Sequence, residues 1–219
     1  KLTDLLNRVM SIFVGNTQRR LFNSVAGQIE ISKKYFKNYI QQGVKVMIHK
    51  ISEYISEERL DKRIREIAAE ISRDYAKKEV RLICILKGSV FYTCELAKRL
   101  TVPVTLDFMS VSSYGSGTES SGDVKIKKDL DESIEGLDVI VVEDIIDSGN
   151  TLSRLIPLLK ERKPASIKVT TLLDKPDRRE VDMDVDYVGF EIEDKFVVGY
   201  GLDYDQSYRD LPYIGIVEL

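Results

Sequence analysis

At 219 residues, 43% of them hydrophobic, the chain is long enough for one large domain or two small ones, each with a proper core. The formal charge of −3 is unevenly spread: residues 1–50 hold nine Lys/Arg against two Asp/Glu, about +7, and the remainder holds 24 against 34, about −10. No run approaches the ~20 apolar residues of a membrane span, no stretch has the form of an intact secretion signal, and a lone His49 excludes histidine triads and multi-histidine metal sites, so a cytoplasmic globular protein is expected, with acid–base chemistry on carboxylates and lysines.

Residues 1–45 are rich in Asn, Gln, Lys and Arg, with scattered apolar positions such as Leu5, Phe13 and Phe22. They read as a basic N-terminal extension, helical in short stretches, ahead of a domain at 46–219, and they contain no complete nucleic-acid-binding motif. From Tyr54 the pattern sharpens. Ser56 can cap a helix with Glu57 and Glu58 in its positive first turn, and Leu60, Ile64, Ile67, Ala68, Ile71 and Tyr75 follow at steps of three and four. Val80 to Leu86 reads as a buried strand, Val90 to Leu100 as a helix, and Val104 to Val111 as a second strand beyond Pro103. Strand, helix, strand at this spacing is a βαβ unit, so a mostly parallel sheet is expected. Cys84 and Cys94 lack CxxC spacing and histidine companions, and both read as core thiols.

Ser112 to Gly122 is rich in serine and glycine and has no aliphatic residue, the composition of a mobile loop. Asp123 to Lys128 is strand-like. The stretch Val139-Ile140-Val141-Val142-Glu143-Asp144-Ile145-Ile146-Asp147-Ser148-Gly149-Asn150-Thr151-Leu152 then organises the rest. Four apolar β-formers suit a strand buried on both faces, with Glu143 and Asp144 where the strand should emerge, at the sheet edge where open α/β folds bind ligands. Asp147 to Thr151 combine a turn glycine, Gly149, with the hydroxyls of Ser148 and Thr151 just before a helix-like run to about Arg162. Backbone N–H groups at such a helix start make a seat for one phosphate. The combination reads as a phosphorylated-sugar site, with the phosphate in the loop and the sugar hydroxyls on Glu143 and Asp144. An ordinary capped helix explains the apolar run and Ser148 but leaves three crowded carboxylates unexplained. Further strands are expected at Ile167 to Leu173, Tyr187 to Phe190, Phe196 to Tyr200 and Tyr213 to Val217.

This central stretch resembles the 5-phosphoribosyl-1-pyrophosphate motif of the type I phosphoribosyltransferases, in the version of their bacterial hypoxanthine-guanine branch. The resemblance runs from about Tyr54 to Val217 and implies that family's α/β fold: a mostly parallel central sheet flanked by helices, with a small hood subdomain. It implies Mg²⁺-dependent transfer of phosphoribose to hypoxanthine or guanine, giving IMP or GMP and pyrophosphate in purine salvage. Asp147 would exchange the proton at purine N7, and Ser148, Gly149, Asn150 and Thr151 would seat the 5′-phosphate. Leu86-Lys87-Gly88 alone is a strand-ending turn; on the resemblance it becomes a pyrophosphate loop whose Leu–Lys peptide can be cis, with Arg209 as its companion. Ser113 and Tyr114 would begin a lid. Lys175, otherwise an ordinary solvated turn lysine, would donate to the purine 6-oxo group. Phe196 and Val197, otherwise plain β core, would stack on the base and bond its edge, with Ile145 and Asp203 completing the purine site. Glu143, Asp144 and Asp203 would hold the metal. Dimers or tetramers are implied, with no membrane or nucleic-acid partner.

Two rival classes come into question. A P-loop NTPase is excluded because no Gly-Lys-Ser/Thr follows the strand. A phosphoribosyltransferase-like regulator that senses nucleotides and binds nucleic acid through the basic N-terminus has no need of the base-reading and pyrophosphate groups, and the joint presence of Lys175, Phe196, Asp203 and Arg209 argues for the enzyme.

Overall fold

The computed structural model describes residues 49–113 and 124–218. The expected extension at 1–45 and the lid residue Tyr114 lie outside the described residues. A six-stranded sheet runs in the order β4-β3-β2-β5-β6-β7, with β2 at Val80–Ile85, β3 at Val104–Ser113, β4 at Val124–Lys128, β5 at Asp138–Ile146, β6 at Ser166–Asp174 and β7 at Tyr187–Glu191. All neighbours are parallel except the edge strand β4, which runs antiparallel to β3.

The apolar run of β5 faces two cores at once. Ile140 and Val142 join Val80, Leu82 and Leu172 under helices α1 (Glu57–Asp74) and α2 (Val90–Ala97). Val139 and Val141 join Ile83, Ile85 and Val169 under α3 (Asn150–Lys160), through Leu152, Leu155 and Leu159. A strand clamped this way is held in register, because a one-residue slip would only exchange its faces while breaking every packed contact. Helix α1 forms as its pattern predicts. The Ser56 hydroxyl accepts from the Arg59 N–H, Glu57 and Glu58 sit in the first turn, and Leu60, Ile64, Ile67, Ala68 and Ile71 are buried. Its Arg63 reaches across to donate to the Val188 and Gly189 carbonyls of β7, at 2.8 and 3.1 Å. That closes hydrogen-bonding groups on an otherwise open sheet edge.

A second, three-stranded antiparallel sheet, β1-β9-β8, forms a hood from β1 (Lys50–Ile55), β9 (Ile214–Glu218) and β8 (Val197–Val198). Several expectations are corrected here. Glu143 and Asp144 lie inside β5 and not beyond it, because the pairing with β6 continues through Glu143–Thr171, Ile145–Leu173 and Ile146–Asp174. The strand expected at Phe196 to Tyr200 shrinks to two residues, since Gly199 and Tyr200 turn with positive φ (96° and 51°) and Gly199 bridges Leu202. Cys84 is buried, but Cys94 is exposed on the outer side of α2 and is no core thiol.

Candidate active site

Strand β2 passes its chain to β3 on one side and β5 passes its chain to β6 on the other, so the sheet order reverses between β2 and β5. A crevice opens at such a point beyond the carboxyl ends of the strands. There lies a cavity of about 340 Å³, lined by Ile85 and Leu86 at the end of β2, by Glu143, Ile145 and Ile146 of β5, and by Asp147 to Leu152 in the loop and the start of α3.

The loop is built around Gly149, whose φ of 81° lets the chain turn from β5 straight into α3. Ser148 Oγ accepts from the Asn150 N–H at 3.3 Å, and no acidic residue occupies the first turn of α3. First-turn N–H groups have no acceptors within the helix, so the cavity floor carries donors and a positive macrodipole end suited to a phosphate. A methyl at Gly149 would meet the Arg179 guanidinium and Val181, each at 3.1 Å, so the loop rests on the segment that follows β6.

That segment grips the loop at several points. Lys175 N–H donates to the Ile146 carbonyl at 2.9 Å, Glu180 N–H to the Ser148 carbonyl at 3.0 Å, and the Asn150 side-chain amide to the Glu180 carboxylate at 2.6 Å. Between these anchors a 3₁₀ turn at Pro176–Arg178 directs Arg178 Nε to Asp147 Oδ1 at 3.1 Å. Lys175 itself is buried, and its ammonium reaches Asp194 Oδ1 at 3.1 Å. Arg179 pairs with Asp174 beneath the loop.

On the β2 side the Leu86–Lys87 peptide is cis, as the resemblance allowed. Backbones crowd together beyond it. An added Cβ at Gly88 would lie 1.5 Å from Asp144 Oδ2, and one at Gly201 (φ 104°) would lie 1.9 Å from the Gly88 carbonyl oxygen. Only glycine permits this stacking of the Lys87-Gly88 loop between Asp144 and the Gly201 turn. Arg209 donates to the Gly201 carbonyl at 2.7 Å and pairs with Asp203 at 2.7 Å. Lys87 Nζ donates to Gln206 Oε1 at 3.2 Å. Lys87, Gly88, Asp144, Asp203 and Arg209 thus share one wall.

Glu143 and Asp144 sit at the floor of this wall. Desolvation first, and then the charge of Asp144, push the Glu143 carboxyl well above its ordinary range. Asp144 is also raised, chiefly by desolvation, while the charge of Arg209 is among the influences holding it down. Two half-buried carboxylates in contact accept either a shared proton or a cation. Among the described residues no three His, Cys, Asp or Glu side chains come together as a metal group, and Asp203 is turned to Arg209. The pair therefore fits a hard divalent cation that takes its other ligands from a diphosphate and water.

Phe196, the residue before β8, leaves 45% of its surface exposed, and its ring stands edge-on to Tyr204 at 5.3 Å. Val197 beside it is buried in β8. Ser113 ends β3 at the same sheet edge. Every expected site residue that the structure describes therefore lies along one edge of the central sheet or on the hood beside it. Arg178, Arg179 and Asp194 were not singled out in the sequence. Adjacent arginines in a connecting segment look like solvated charges, and only the partners across space distinguish them.

Residues 51–205 match the phosphoribosyl transferase domain family. Among similar proteins is a hypoxanthine phosphoribosyltransferase of Buchnera aphidicola, 53% identical over 173 residues, which make up 78% of this chain and 98% of that protein. Another is the bifunctional protein TilS/HprT of Listeria monocytogenes, 53% identical over 164 residues, 75% of this chain but 25% of that longer protein. A crystal structure of a hypoxanthine-guanine phosphoribosyltransferase from Bacillus anthracis superposes with a TM-score of 0.74 at 48% identity, covering 78% of this chain and all of that one.

Proposed function

The chain belongs to the phosphoribosyltransferase family, and from that premise we infer that it is a hypoxanthine-guanine phosphoribosyltransferase of purine salvage. It joins 5-phosphoribosyl-1-pyrophosphate to hypoxanthine or guanine and releases IMP or GMP with pyrophosphate. One observation carries the assignment: a helix start suited to a phosphate and a buried lysine stand at the ends of adjacent strands, tied by the Lys175–Ile146 backbone bond. A phosphate at the α3 start and an oxo-purine at Lys175 would place a ribose between them, over Glu143 and Asp144.

In the proposed reaction N9 of the base bonds to C1 of the ribose as the C1–oxygen bond to pyrophosphate breaks, and the leaving group keeps the electron pair. Asp147 takes the proton from N7, so the product purine is neutral. Lys87 and Arg209 face the departing diphosphate and offset its growing charge, which is where fixed cations lower a barrier most. Glu143 and Asp144 hold the ribose hydroxyls. Glu143 and Asp144 would also hold Mg²⁺, which would supply further neutralisation of the diphosphate charge. Phe196 stacks on the base, the Val197 backbone bonds its edge with Ile145 and Asp203 nearby, and a lid from Ser113 and Tyr114 would keep water from the reacting carbon. The reading also takes the enzyme to act in the cytoplasm as a dimer or tetramer. Among the described residues no helix is long and apolar enough to cross a membrane.

The test is a steady-state assay with Mg²⁺, the diphosphate sugar and each of hypoxanthine, guanine and adenine. IMP and GMP should form with equimolar pyrophosphate. An enzyme that consumed the sugar only with adenine, or not at all, would end this reading.

A further inference from the structure

Four side chains link the proton-accepting and base-reading groups in one line. Asp147 Oδ1 accepts from Arg178 Nε at 3.1 Å, the other end of the Arg178 guanidinium faces Asp194 Oδ2 at 3.7 Å, and Asp194 Oδ1 accepts from Lys175 Nζ at 3.1 Å. The signs alternate, and the line as a whole is neutral. Arg178 closes a short 3₁₀ turn: its N–H donates to the Lys175 carbonyl, the Arg179 N–H donates to that of Pro176, and the proline ring fixes the φ of the turn's first residue.

We propose that Arg178 is a positioning residue for Asp147, holding Oδ1 so that Oδ2 is the oxygen presented to the purine. This rests on the assignment of Asp147 as proton acceptor. A carboxylate on a loop swings about two side-chain bonds, and a base that must meet N7 at hydrogen-bond distance loses efficiency when it does. A planar guanidinium on a rigid turn removes that freedom without entering the sugar site. Because it also faces Asp194, Arg178 sets the acceptor relative to Lys175, so the groups that meet N7 and the 6-oxo oxygen keep a fixed spacing. Arg178 touches neither substrate; its effect passes through Asp147. Nothing else in the turn provides this, since Arg179 points beneath the loop to Asp174 and Lys175 to Asp194.

The experiment is a double-mutant cycle on the full chain, read by the single-turnover rate of IMP formation and by the affinity for the diphosphate sugar. R178A should slow transfer about fivefold, the factor expected for losing a half-exposed ion pair that acts on the barrier, with sugar affinity unchanged. R178K should recover part of the rate. D147N alone should lose much more, about 10²-fold or beyond. Adding R178A to D147N should cost nothing further, because the residue acted upon no longer has the charge. An R178A loss that persists in the D147N background, or one that appears as weaker sugar binding, overturns the proposal. So does an R178A enzyme at wild-type rate beside an impaired D147N. If D147N itself turns over normally, the assignment of Asp147 fails first and the role of Arg178 goes with it. Thermal melting of each variant separates these outcomes from misfolding.

Discussion

A carboxyl whose pKa is raised on folding binds its proton more tightly in the folded chain than in the unfolded one. For Glu143, stability is therefore fully present below the ordinary carboxyl range and is lost as pH rises through the raised value. E143Q should accordingly melt at a higher temperature than the wild type at pH 8, with the difference closing near pH 4, and should bind the diphosphate sugar far more weakly. Calorimetry at the two pH values checks the first claim, and titration with Mg²⁺ and sugar the second. Lys175 sets a different test. Adenine presents an amino group at C6, which cannot accept the hydrogen bond that the buried Lys175 ammonium would give a 6-oxo oxygen, and a missing partner of this kind discriminates by ~10⁴-fold or more. K175A should lower kcat/KM for hypoxanthine steeply, reduce the bias against adenine and leave sugar affinity alone. Parallel kinetics with the two bases decide it, and a variant with the original preference would return Lys175 to the status of a turn lysine. Glu143 to Thr151 were legible in the sequence because their chemistry is contiguous. Arg178 and Asp194 were not, since each is an ordinary surface charge until the fold sets it against a partner 31 and 19 residues away.

Elements differ in the same way. Helix α1 could be read to within a residue at its start, because Ser56, Glu57 and Glu58 mark the cap and the apolar stripe is local. Strand β5 could be located but not ended, since its length is decided by β6 alongside. Strand β1 escaped notice altogether: Lys-Ile-Ser-Glu-Tyr-Ile has no apolar run, and its partner residues begin beyond position 213. The loop into α3 offers a test of an element as a unit. G149A would force a side chain into left-handed backbone, at a cost of roughly 1–2 kcal/mol, and would push on Arg179 and Val181 below. Sugar-phosphate affinity should fall about tenfold by that arithmetic, with a smaller change in the rate of the bound complex. Isothermal titration and single-turnover rates separate the two effects. Replacing Ile67, fully buried on the inner face of α1, by alanine should instead cost about 2–5 kcal/mol of unfolding free energy and leave the affinities of the remaining folded enzyme intact.

At the scale of the whole molecule, every described site residue lies in the compact unit from His49 to Leu219. A chain shortened to begin at Val44 should keep most of its turnover with hypoxanthine, measured beside the full chain at equal concentration of folded protein. Loss of both nucleotide binding and turnover in a folded truncation would make the basic N-terminal stretch part of the catalytic unit. The hood has a temporal consequence as well. β9 is its middle strand, bonded to β1 on one side and to β8 on the other, so Ile51 waits for Val217 and Val197 waits for Ile216. In a chain made from its N-terminus, the strands of the central sheet and the loop into α3 are synthesised before the hood's middle strand, so the hood must wait for residues 214–218. A nascent chain stalled before position 214 would be able to hold the sugar phosphate but would have no hooded seat for the base.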